Sequence, residues 1–589
     1  MSESSHHQGS VVEVSVAEAL TQTLLREGVR RVFGIPGGYF TVLFDAFSRA
    51  GLPSVEGRHE GAAACMAAGY AQASGEVGVV YAQCGPGATN AATGFAAAYM
   101  DSIPMLLLAS QVARDDYGRD AHQESTGLTR GPDQVEMYRT FSHCLARPPS
   151  AESAVRMMRV ALNSAVAHKG PAVLELHTDL LGQIIRHDDL PLEAYRAASR
   201  PVDQAGVAEA VALLLKAERP VLLVGNRLMH TGSGADLLAF CEEHQIPCAT
   251  ADYAKGLLPE DHPLSLGVLG QAGHGSASDF FAEADLVLMV GVRMSAATTL
   301  RYTAELFGNV IQVDDDAREI GRCLPVRLGI VGDVAATFRA LHLAAGKRKG
   351  PPREVAAHVA ELRRKHKTYA PPDGLDEKGP LVPPDLFRVL RQELPREAVV
   401  VTDTGWTAVG FKQHFPVYRP DSFYALYALA PMGSGLPMSL GVQLARPNDT
   451  VVSVIGDGGF LVHTGELQVA VQHKLPVIHV VVKNGLYKSV ADRQIHWYGA
   501  YYGTEIPNPN YAKVAQGFGC DGYSARNAVE VRAAVRQALA ARRPAVIEVD
   551  VAPDNSVDTM PPALKKFTDQ VFTKRRQGWP MSKPGAKKT

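Results

Sequence analysis

The sequence predicts an α/β protein with three doubly wound domains, each built on a parallel sheet. Short apolar runs alternate with alanine-rich amphipathic stretches along most of the chain, which is the pattern of strands joined by crossover helices. The chain has 589 residues, too many for a single hydrophobic core. Its 46% hydrophobic and 20% charged residues are typical of a globular protein.

The three domains are predicted over residues 1–189, 190–350 and 351–560. Two strand-like runs stand out in each domain: Val77–Ala82 and Met105–Ala109, then Pro220–Val224 and Asp285–Val290, then Val451–Ile455 and Val477–Val482. The first and third domains share the same alternating pattern, as two copies of one architecture would. The basic segment 561–589 lacks periodicity and is expected to be a disordered tail or a flap.

Charge and composition favour a small-molecule partner. Lysine and arginine (59) nearly balance aspartate and glutamate (61), so no overall field attracts nucleic acid or a membrane surface. The apolar run Pro104–Ala109 is far shorter than a membrane span, and Met1–Ser10 lacks the features of a signal peptide. The seven cysteines lack the close pairs of zinc sites or disulfide frameworks. We therefore expect a soluble cytoplasmic protein.

A glycine-rich turn follows a strand of the third domain. Val451–Ile455 runs into Gly456–Gly459, and a helix-like stretch is predicted at Thr464–Val471. Glycines allow backbone N–H groups to approach a phosphate, and Asp457 within the turn offers a hard oxygen ligand for magnesium. Taken alone, a turn of this kind is more often an ordinary loop.

A second polar residue ends the next strand. Val477–Val482 leads into Lys483 and Asn484, which places Asn484 at the carboxyl end of an adjacent strand, where ligands of open α/β sheets bind. Its amide supplies an oxygen of the kind that magnesium accepts. Asp457 and Asn484 together therefore predict a metal and phosphate site.

These two segments resemble the thiamine diphosphate motif of the acetolactate synthase and pyruvate oxidase family. Lys483 stands where the family has the first of two asparagines, and Asn484 corresponds to the metal-binding one. The resemblance implies a magnesium ion held by Asp457, Asn484 and the carbonyl of Leu486. It also implies that the glycines of the turn face the diphosphate: Gly456, Gly458 and Gly459.

Thiamine chemistry also requires a buried carboxylate that hydrogen-bonds the cofactor's aminopyrimidine. Glu60 heads a small apolar helix predicted over Gly61–Ala73. An isolated glutamate there would usually just complement the helix macrodipole. Here Val32–Gly38 and Cys84–Asn90 resemble the family's two flanking loops, which implies that Glu60 is the activating acid. The same matches imply four further cofactor contacts: Pro36, Gly37, Pro86 and Asn90.

Two other loops match the family. Ala430–Pro437 resembles the segment that bends the cofactor, which implies a wedge at Met432 and an acceptor carbonyl at Ala430. A methionine before glycine is otherwise more often core filling. Asp403–Thr407 corresponds to a loop beside the diphosphate and implies contacts from Gly405 and Trp406, although Trp406 fits a core position equally well.

The acceptor side departs from the acetolactate synthases. Their arginine after a phenylalanine and paired aspartates holds the second keto acid, but here Gly291–Arg293 is followed by Met294–Ala296. Their glutamine-tryptophan pair is replaced by Asp492 and Arg493. Arg493 either contacts a different carboxylate or is solvated. Strict acetolactate synthesis is therefore doubtful.

His122 and Gln123 occupy the place where synthases carry phenylalanine before glutamine. The pair resembles the carboxyethylarginine synthase branch, which implies that Gln123 orients the reacting intermediate. His122 has a side chain able to move protons near neutral pH. A lone histidine is usually structural, so both interpretations of His122 stay open.

FAD is not predicted, although some flavoenzymes of the family bind it through loops near Gly270–Gly275 and Arg293. The loop here is longer than the usual form, and the expected aspartates are missing.

We predict a thiamine diphosphate-dependent and magnesium-dependent carboligase or decarboxylase, a transferase or lyase that joins a 2-oxo acid donor to an aldehyde or ketone acceptor. The alternatives are simple decarboxylation, acyl transfer to phosphate or coenzyme A, and a non-catalytic regulatory homologue. The resemblance implies pyrimidine-binding, central and diphosphate-binding domains. It also implies a homodimer or homotetramer in which each cofactor lies between two subunits.

Overall fold

The computed structural model describes residues 11–196, 201–299, 308–346, 354–370 and 374–552. The predicted tail at 561–589 lies outside these ranges. The described chain contains three six-stranded sheets, and every strand pair within them is parallel. The predicted α/β class is thus confirmed, while the exact domain borders remain predictions. None of the described helices is long and apolar enough to cross a membrane.

The first sheet has the order β3-β2-β4-β5-β7-β6, and a separate antiparallel ribbon pairs β1 with β8. The strands are β1 Val11–Ser15, β2 Val32–Gly34, β3 Ser54–Glu56, β4 Gly78–Ala82, β5 Met105–Gln111, β6 Cys144–Ala146, β7 Pro171–His177 and β8 Ile184–Asp188. The helices are α1 Val16–Arg26, α2 Thr41–Ala50, α3 Glu60–Ser74, α4 Pro86–Asp101, α5 Gln134–Tyr138, α6 Ala151–His168 and α7 Thr178–Leu181.

The central sheet has the order β11-β10-β9-β12-β13-β14. Its strands are β9 Pro220–Val224, β10 Cys248–Ala251, β11 Ser265–Leu269, β12 Leu286–Val290, β13 Asn309–Asp314 and β14 Leu328–Val331. Its helices are α8 Gln204–Lys216, α9 Gly234–His244, α10 Gly275–Glu283, α11 Val334–Ala345 and α12 Val355–Lys365.

The third sheet has the order β16-β15-β17-β18-β20-β19. Its strands are β15 Val399–Thr402, β16 Phe423–Tyr424, β17 Val451–Gly456, β18 Ile478–Lys483, β19 Asp521–Ala525 and β20 Ala545–Asp550. The helices of this part are α13 Pro383–Glu393, α14 Trp406–His414, α15 Gly435–Ala445, α16 Asp457–Val462, α17 Leu467–Gln472, α18 Lys488–Tyr498, α19 Tyr511–Gly517 and α20 Ala528–Ala541. Counted along the chain, the strand order equals that of the first sheet, which confirms the shared architecture.

The structure has one short helix that the sequence did not predict. Thr464–Val471 is helical as expected, with a 3₁₀ turn over Thr464–Glu466 followed directly by α17. Before it lies the unexpected α16, which starts at Asp457 itself. Gly458 and Gly459 are weak helix formers, so the local pattern does not reveal this helix.

The described chain divides into two compact units. The first contains the described residues up to 196 together with 426–448 and 463–475, and the second contains the others. Helices α15 and α17 therefore belong to the same unit as α3.

Helices α3 and α15 cross at two glycines within the first unit. A Cβ atom on Gly441 would lie 1.9 Å from the carbonyl oxygen of Met66, and one on Gly69 would lie 2.4 Å from the carbonyl oxygen of Met438. Both distances are below any real van der Waals contact, so the two backbones approach as closely as only glycine permits. Every residue of α3 from Glu60 to Ala71 is buried.

The residue two positions before Glu60 is anchored by α17 and the turn before it. The Arg58 backbone N–H donates to Glu466 Oε1 at 2.9 Å and Oε2 at 3.2 Å. The Arg58 guanidinium donates to Gln468 Oε1 at 2.8 Å and to Gln472 Oε1 at 2.6 Å. Glu466 is 1% exposed, and this burial raises its pKa to about 7. Both the backbone and the side chain of Arg58 are thus bound, which fixes the chain just before α3.

Replacing Gly441 by alanine tests the helix crossing. The new methyl group meets a backbone oxygen that no rotamer change can move, so we expect the stability of the fold to fall by about 1–3 kcal/mol. The thermal unfolding midpoint measures the effect. Gly517→Ala is the matched control, because a Cβ at that helical glycine meets nothing within 4 Å. Equal midpoints for the two variants would contradict the close crossing.

The Glu466 carboxyl predicts a pH dependence of stability. Its pKa of about 7 lies above the ordinary 4.5, so the folded protein holds this proton more tightly than the unfolded chain, and the carboxyl destabilises the fold increasingly as pH rises from about 4.5 to about 7. The full effect is on the order of 3 kcal/mol, at 1.36 kcal/mol per pKa unit. Glu466→Gln removes it, so the variant should gain stability relative to the wild type across this window.

Thermal midpoints at several pH values measure that gain. The exposed Glu209→Gln variant controls for the loss of one surface carboxylate. A difference between Glu466→Gln and the wild type that is flat with pH would show that this carboxyl carries no shifted proton.

Candidate active site

The predicted activating acid is a buried carboxylate with one side-chain donor. Helix α3 begins at Glu60, and the His59 side chain caps it by accepting the Gly61 N–H at 3.0 Å. Glu60 is 9% exposed, and Asn90 Nδ2 donates to its Oε2 at 3.0 Å. The structure therefore brings together two predicted residues, Glu60 and Asn90, and leaves Oε1 for another partner.

The start of α4 lies against the other carboxylate oxygen. A Cβ on Gly87 would be 3.2 Å from Glu60 Oε1 and 3.3 Å from Cβ of Gln83. Pro86, the first residue of the helix, is exposed. Gln83 was not predicted as a site residue, yet it lies beside the catalytic candidate at the end of β4.

The loop that carries His122 and Gln123 contacts Gln83 and Tyr39. Gln83 Nε2 donates to Gln123 Oε1 at 3.0 Å, and the Tyr39 hydroxyl donates to the His122 carbonyl at 2.7 Å. Gln123 adopts a left-handed backbone with φ of 61°. The His122 side chain is exposed. Gln123 is thus held by Gln83, whereas His122 contributes a backbone contact.

The loop after β2, which carries the predicted cofactor residues Pro36 and Gly37, packs against Gln83. Pro36 is exposed. A Cβ on Gly37 would lie 2.1 Å from Gln83 Oε1, so any side chain at position 37 would displace the Gln83 amide. Glycine at this position is therefore required by packing in this chain.

A buried polar network holds the loop that carries Gln123. Glu175 is 1% exposed and accepts from Gln111 Nε2 at 3.1 Å and Gln134 Nε2 at 2.8 Å. Arg147 pairs with it across 2.8 Å. Gln111 also donates to the carbonyl of Ser125 at 3.1 Å. These bonds tie the loop to β5 and β7, which fixes the backbone that carries Gln123.

The predicted wedge segment is a loop of the first unit. Ala430 has a φ of 55°, and the carbonyl of Gly433 lies 2.9 Å from His463 Nδ1. Met432 keeps 42% of its surface exposed. Met432 therefore does not fill the core of the described chain, which leaves its side chain available to a ligand.

The second unit contains the predicted metal residues. Asp457 is 2% exposed and its Oδ2 accepts three hydrogen bonds, from Asn484 N at 3.0 Å, Gly485 N at 2.7 Å and Asn508 Nδ2 at 2.8 Å. Its Oδ1 accepts only the Gly458 N–H, at 2.9 Å. The predicted neighbours Asp457 and Asn484 are thus joined directly across β17 and β18.

The donor set suits magnesium. A carboxylate or amide oxygen has two lone pairs, so Asp457 Oδ1 keeps one, and so does Asn484 Oδ1, which accepts only the Leu486 N–H at 2.9 Å. The described residues contain no group of three or more His, Cys, Asp or Glu side chains placed to bind a metal. One carboxylate with neutral oxygens is the set that magnesium takes beside a diphosphate.

The glycines around Asp457 pack directly against neighbouring side chains and leave no room for a Cβ atom. A Cβ on Gly458 would meet the Tyr487 ring at 2.7 Å, and one on Gly459 would meet Asp403 Oδ2 at 2.0 Å. Gly456 ends β17, and its Cβ would lie 3.3 Å from Thr407 Oγ1. The turn therefore tolerates no larger residue at positions 458 and 459.

The departure from the family motif at Lys483 has a local explanation. Lys483 Nζ lies 2.9 Å from Asp550 Oδ1 and 3.5 Å from Glu548 Oε2, two acids of β20. The ammonium group is thus paired within the sheet, and Asn484 keeps its bond to Asp457.

Asn508 is a site residue that sequence reasoning missed. It donates to Asp457 Oδ2 and accepts from the Tyr511 hydroxyl at 2.7 Å. It lies far along the chain from Asp457 and in a loop, so no local pattern marks it; only its position shortly before α19, which begins at Tyr511, hints at an ordered turn.

The structure also describes the remaining predicted loops of the second unit. Gly405 has a φ of 86° and precedes α14, which begins at the half-buried Trp406. Asp492 is paired with Lys488 on α18, whereas Arg493 is exposed. In the Gly270–Gly275 loop, His274 is buried and accepts the Val268 N–H at 3.1 Å.

Three family models match the chain in order. They describe the thiamine pyrophosphate enzyme N-terminal TPP binding domain (residues 14–137), central domain (207–341) and C-terminal TPP binding domain (403–549).

Curated relatives match over most of the chain. A probable acetolactate synthase large subunit of Methanocaldococcus jannaschii is 30% identical, with 93% of each chain covered. The acetolactate synthase isozyme 2 large subunit of Escherichia coli is 31% identical over 91% of this chain and 95% of the relative. A putative thiamine pyrophosphate-containing protein of Bacillus subtilis is 29% identical, with 91% of each chain covered. With this similarity along its length, the chain belongs to the acetolactate synthase-like family of thiamine pyrophosphate enzymes.

Proposed function

We propose that the chain catalyses a thiamine diphosphate-dependent and magnesium-dependent ligation of a 2-oxo acid donor to a carbonyl acceptor. The observation that carries this proposal is the buried Glu60 carboxylate, one oxygen of which is held by Asn90. The family membership supports the cofactor, and the names of the relatives support a 2-oxo acid of the pyruvate type as donor.

Glu60 activates the cofactor through Oε1. Because Asn90 occupies Oε2, Oε1 is the atom that holds or releases a proton towards the aminopyrimidine ring. A carboxylate in this role is a positioned acid and base. When bound, thiamine diphosphate supplies the nucleophilic carbon and accepts the electrons freed by loss of carbon dioxide. Ala430 and Met432 orient the two rings of the cofactor.

Asp457, Asn484 and the Leu486 carbonyl would hold magnesium. The glycine turn at Gly456, Gly458 and Gly459 and the Gly405 loop would bind the diphosphate, to which backbone N–H groups can donate. Trp406 borders this loop at the start of α14. Asp457 is oriented by four donors, of which Asn508 is the only side chain among the described residues.

On the substrate side, Gln123 binds the reacting donor and His122 carries protons at the open edge of the site. Gln123 is fixed by Gln83, and His122 is exposed. The stretch Met294–Ala296 and the pair Asp492 and Arg493 differ from the family's acceptor residues, which supports an acceptor other than a second keto acid. We therefore propose a transferase that forms a carbon–carbon bond to an aldehyde or ketone.

Two subunits complete each active site in this proposal. Glu60 and Asp457 belong to different compact units of the chain, and the family resemblance assigns each cofactor to a pair of subunits. The protein then functions as a homodimer or a homotetramer.

A product screen tests the proposal together with Glu60→Gln. The holoenzyme is offered pyruvate and other 2-oxo acids, alone and with aldehydes and ketones, and products are identified by mass spectrometry. We expect a ligated product from the wild type and a rate lowered by about 10²- to 10⁴-fold in Glu60→Gln, the usual contribution of a general acid or base. Thiamine diphosphate binding, measured by calorimetry, should persist in the variant.

Glu152→Gln is the matched control, since Glu152 also lies in the first turn of a helix but is exposed. Free aldehyde as the sole product would show that the enzyme is a decarboxylase and would refute the proposed ligation. A normal rate in Glu60→Gln would refute the role of this acid, and silence with every donor despite bound cofactor would favour a non-catalytic homologue.

Asn508→Leu tests the support of the metal site. Without the Asn508 amide, Asp457 loses its only side-chain donor, and we expect magnesium and thiamine diphosphate affinity to fall by about 10- to 100-fold, as for other partners of metal ligands. Calorimetric titration of the apoenzyme with magnesium and thiamine diphosphate measures these affinities. Asn510→Ser is the control, because Asn510 caps α19 and serine retains that capping ability. Unchanged magnesium affinity in Asn508→Leu would rule out this role.

A further inference from the structure

The Gln83 side chain links two segments that the proposed reaction uses. Its Oε1 accepts the Tyr39 backbone N–H at 3.3 Å, and its Nε2 donates to Gln123 Oε1 at 3.0 Å. Gln83 therefore joins the loop after β2 to the loop that carries Gln123.

The orientation of both amides follows from one backbone group. A backbone N–H can only donate, so the Gln83 atom that faces Tyr39 must be its oxygen, and the atom that faces Gln123 must then be its NH₂ group. Because that NH₂ group donates, Gln123 must turn its own oxygen towards Gln83. Gln123 is left with its NH₂ group directed away from Gln83.

We infer that Gln83 is a positioning residue that makes Gln123 present an N–H donor to the substrate, so that this subsite selects a negatively charged oxygen such as the carboxylate of a 2-oxo acid. This inference rests on the proposed function and adds a specificity determinant to it. An amide that instead presented its oxygen would repel the same carboxylate.

The surroundings hold Gln83 in this role. The point where Gly87 would carry a Cβ lies 3.2 Å from Glu60 Oε1 and 3.3 Å from Gln83 Cβ, so the amide chain begins beside the catalytic candidate. Gly37 leaves room for its oxygen, since a Cβ there would be 2.1 Å from Gln83 Oε1. The Gln123 carbonyl is held in turn, because it accepts from the Ser125 hydroxyl at 3.2 Å.

Glutamate and methionine at position 83 separate positioning from packing. Gln83→Glu keeps the shape and still accepts from Tyr39, but a carboxylate cannot donate, so Gln123 must turn its NH₂ group towards it and present its oxygen to the substrate. Gln83→Met keeps a similar length and leaves Gln123 free to rotate. A positioning role predicts that glutamate impairs substrate binding more than methionine, whereas a packing role predicts the opposite order.

The experiment measures the dissociation constants of pyruvate and of its neutral analogue pyruvamide by calorimetry, in holoenzyme that carries Glu60→Gln to prevent turnover. We expect Gln83→Glu to raise the dissociation constant of pyruvate by about tenfold or more, which is the contribution of a hydrogen bond to a charged group. Gln83→Met should raise that constant less. The dissociation constant of pyruvamide should change little in either variant. Thermal midpoints confirm that the variants fold.

Gln123→Ala separates orientation from the added charge. In that background Gln83→Glu should have no further effect on pyruvate binding; a persistent effect would mean that the new carboxylate repels the substrate directly and would overturn the inference. Equal pyruvate binding in all Gln83 variants would also overturn it while leaving the product screen intact. If the wild type yields no product from any 2-oxo acid, the proposed function itself fails.

Discussion

The crossing of α3 and α15 at Gly69 and Gly441 is the constraint on which the first half of the site depends. Two backbones in direct contact allow no sliding, because each glycine faces a carbonyl oxygen of the other helix. Glu60 is the first residue of α3, so the crossing fixes the position of its carboxylate. Arg58 and Glu466 fix the chain just before it. A buried acid thus gains its position mainly from apolar packing and backbone hydrogen bonds.

The second half of the site follows a different principle. Asp457 gathers four N–H donors around one carboxylate, yet leaves a lone pair on Oδ1. Those bonds compensate for the burial of its charge and hold the carboxylate in one rotamer. Glu60 is positioned by close backbone packing at two glycines. Asp457 is positioned by hydrogen bonds that satisfy its carboxylate.

The sequence predicted most of the fold because the continuous apolar runs of β4, β5, β17 and β18 alternate with helix-like stretches, and because local motifs surround Glu60 and Asp457. It failed where the determining partner is remote. Asn508 and Gln83 act through single side-chain hydrogen bonds to residues far away in the chain, and no periodicity records such a pair. Helix α16 was missed for a different reason, because Gly458 and Gly459 are weak helix formers.

The pattern of departures from the family has a physical logic. Lys483 replaces an asparagine without disturbing Asp457, because its ammonium group is paired with Asp550 and Glu548 on the neighbouring strand. Asp492 is paired with Lys488 along α18, and Arg493 is exposed. Substitutions of this kind leave the sheet, the glycine turn and the helix crossing unchanged. Gly458, Gly459 and Gly441 sit in contacts that leave no room for a side chain, whereas Arg493 lies on an exposed helix surface where exchange is free. Under the proposed function, acceptor choice could therefore change while the residues proposed to activate the cofactor are kept.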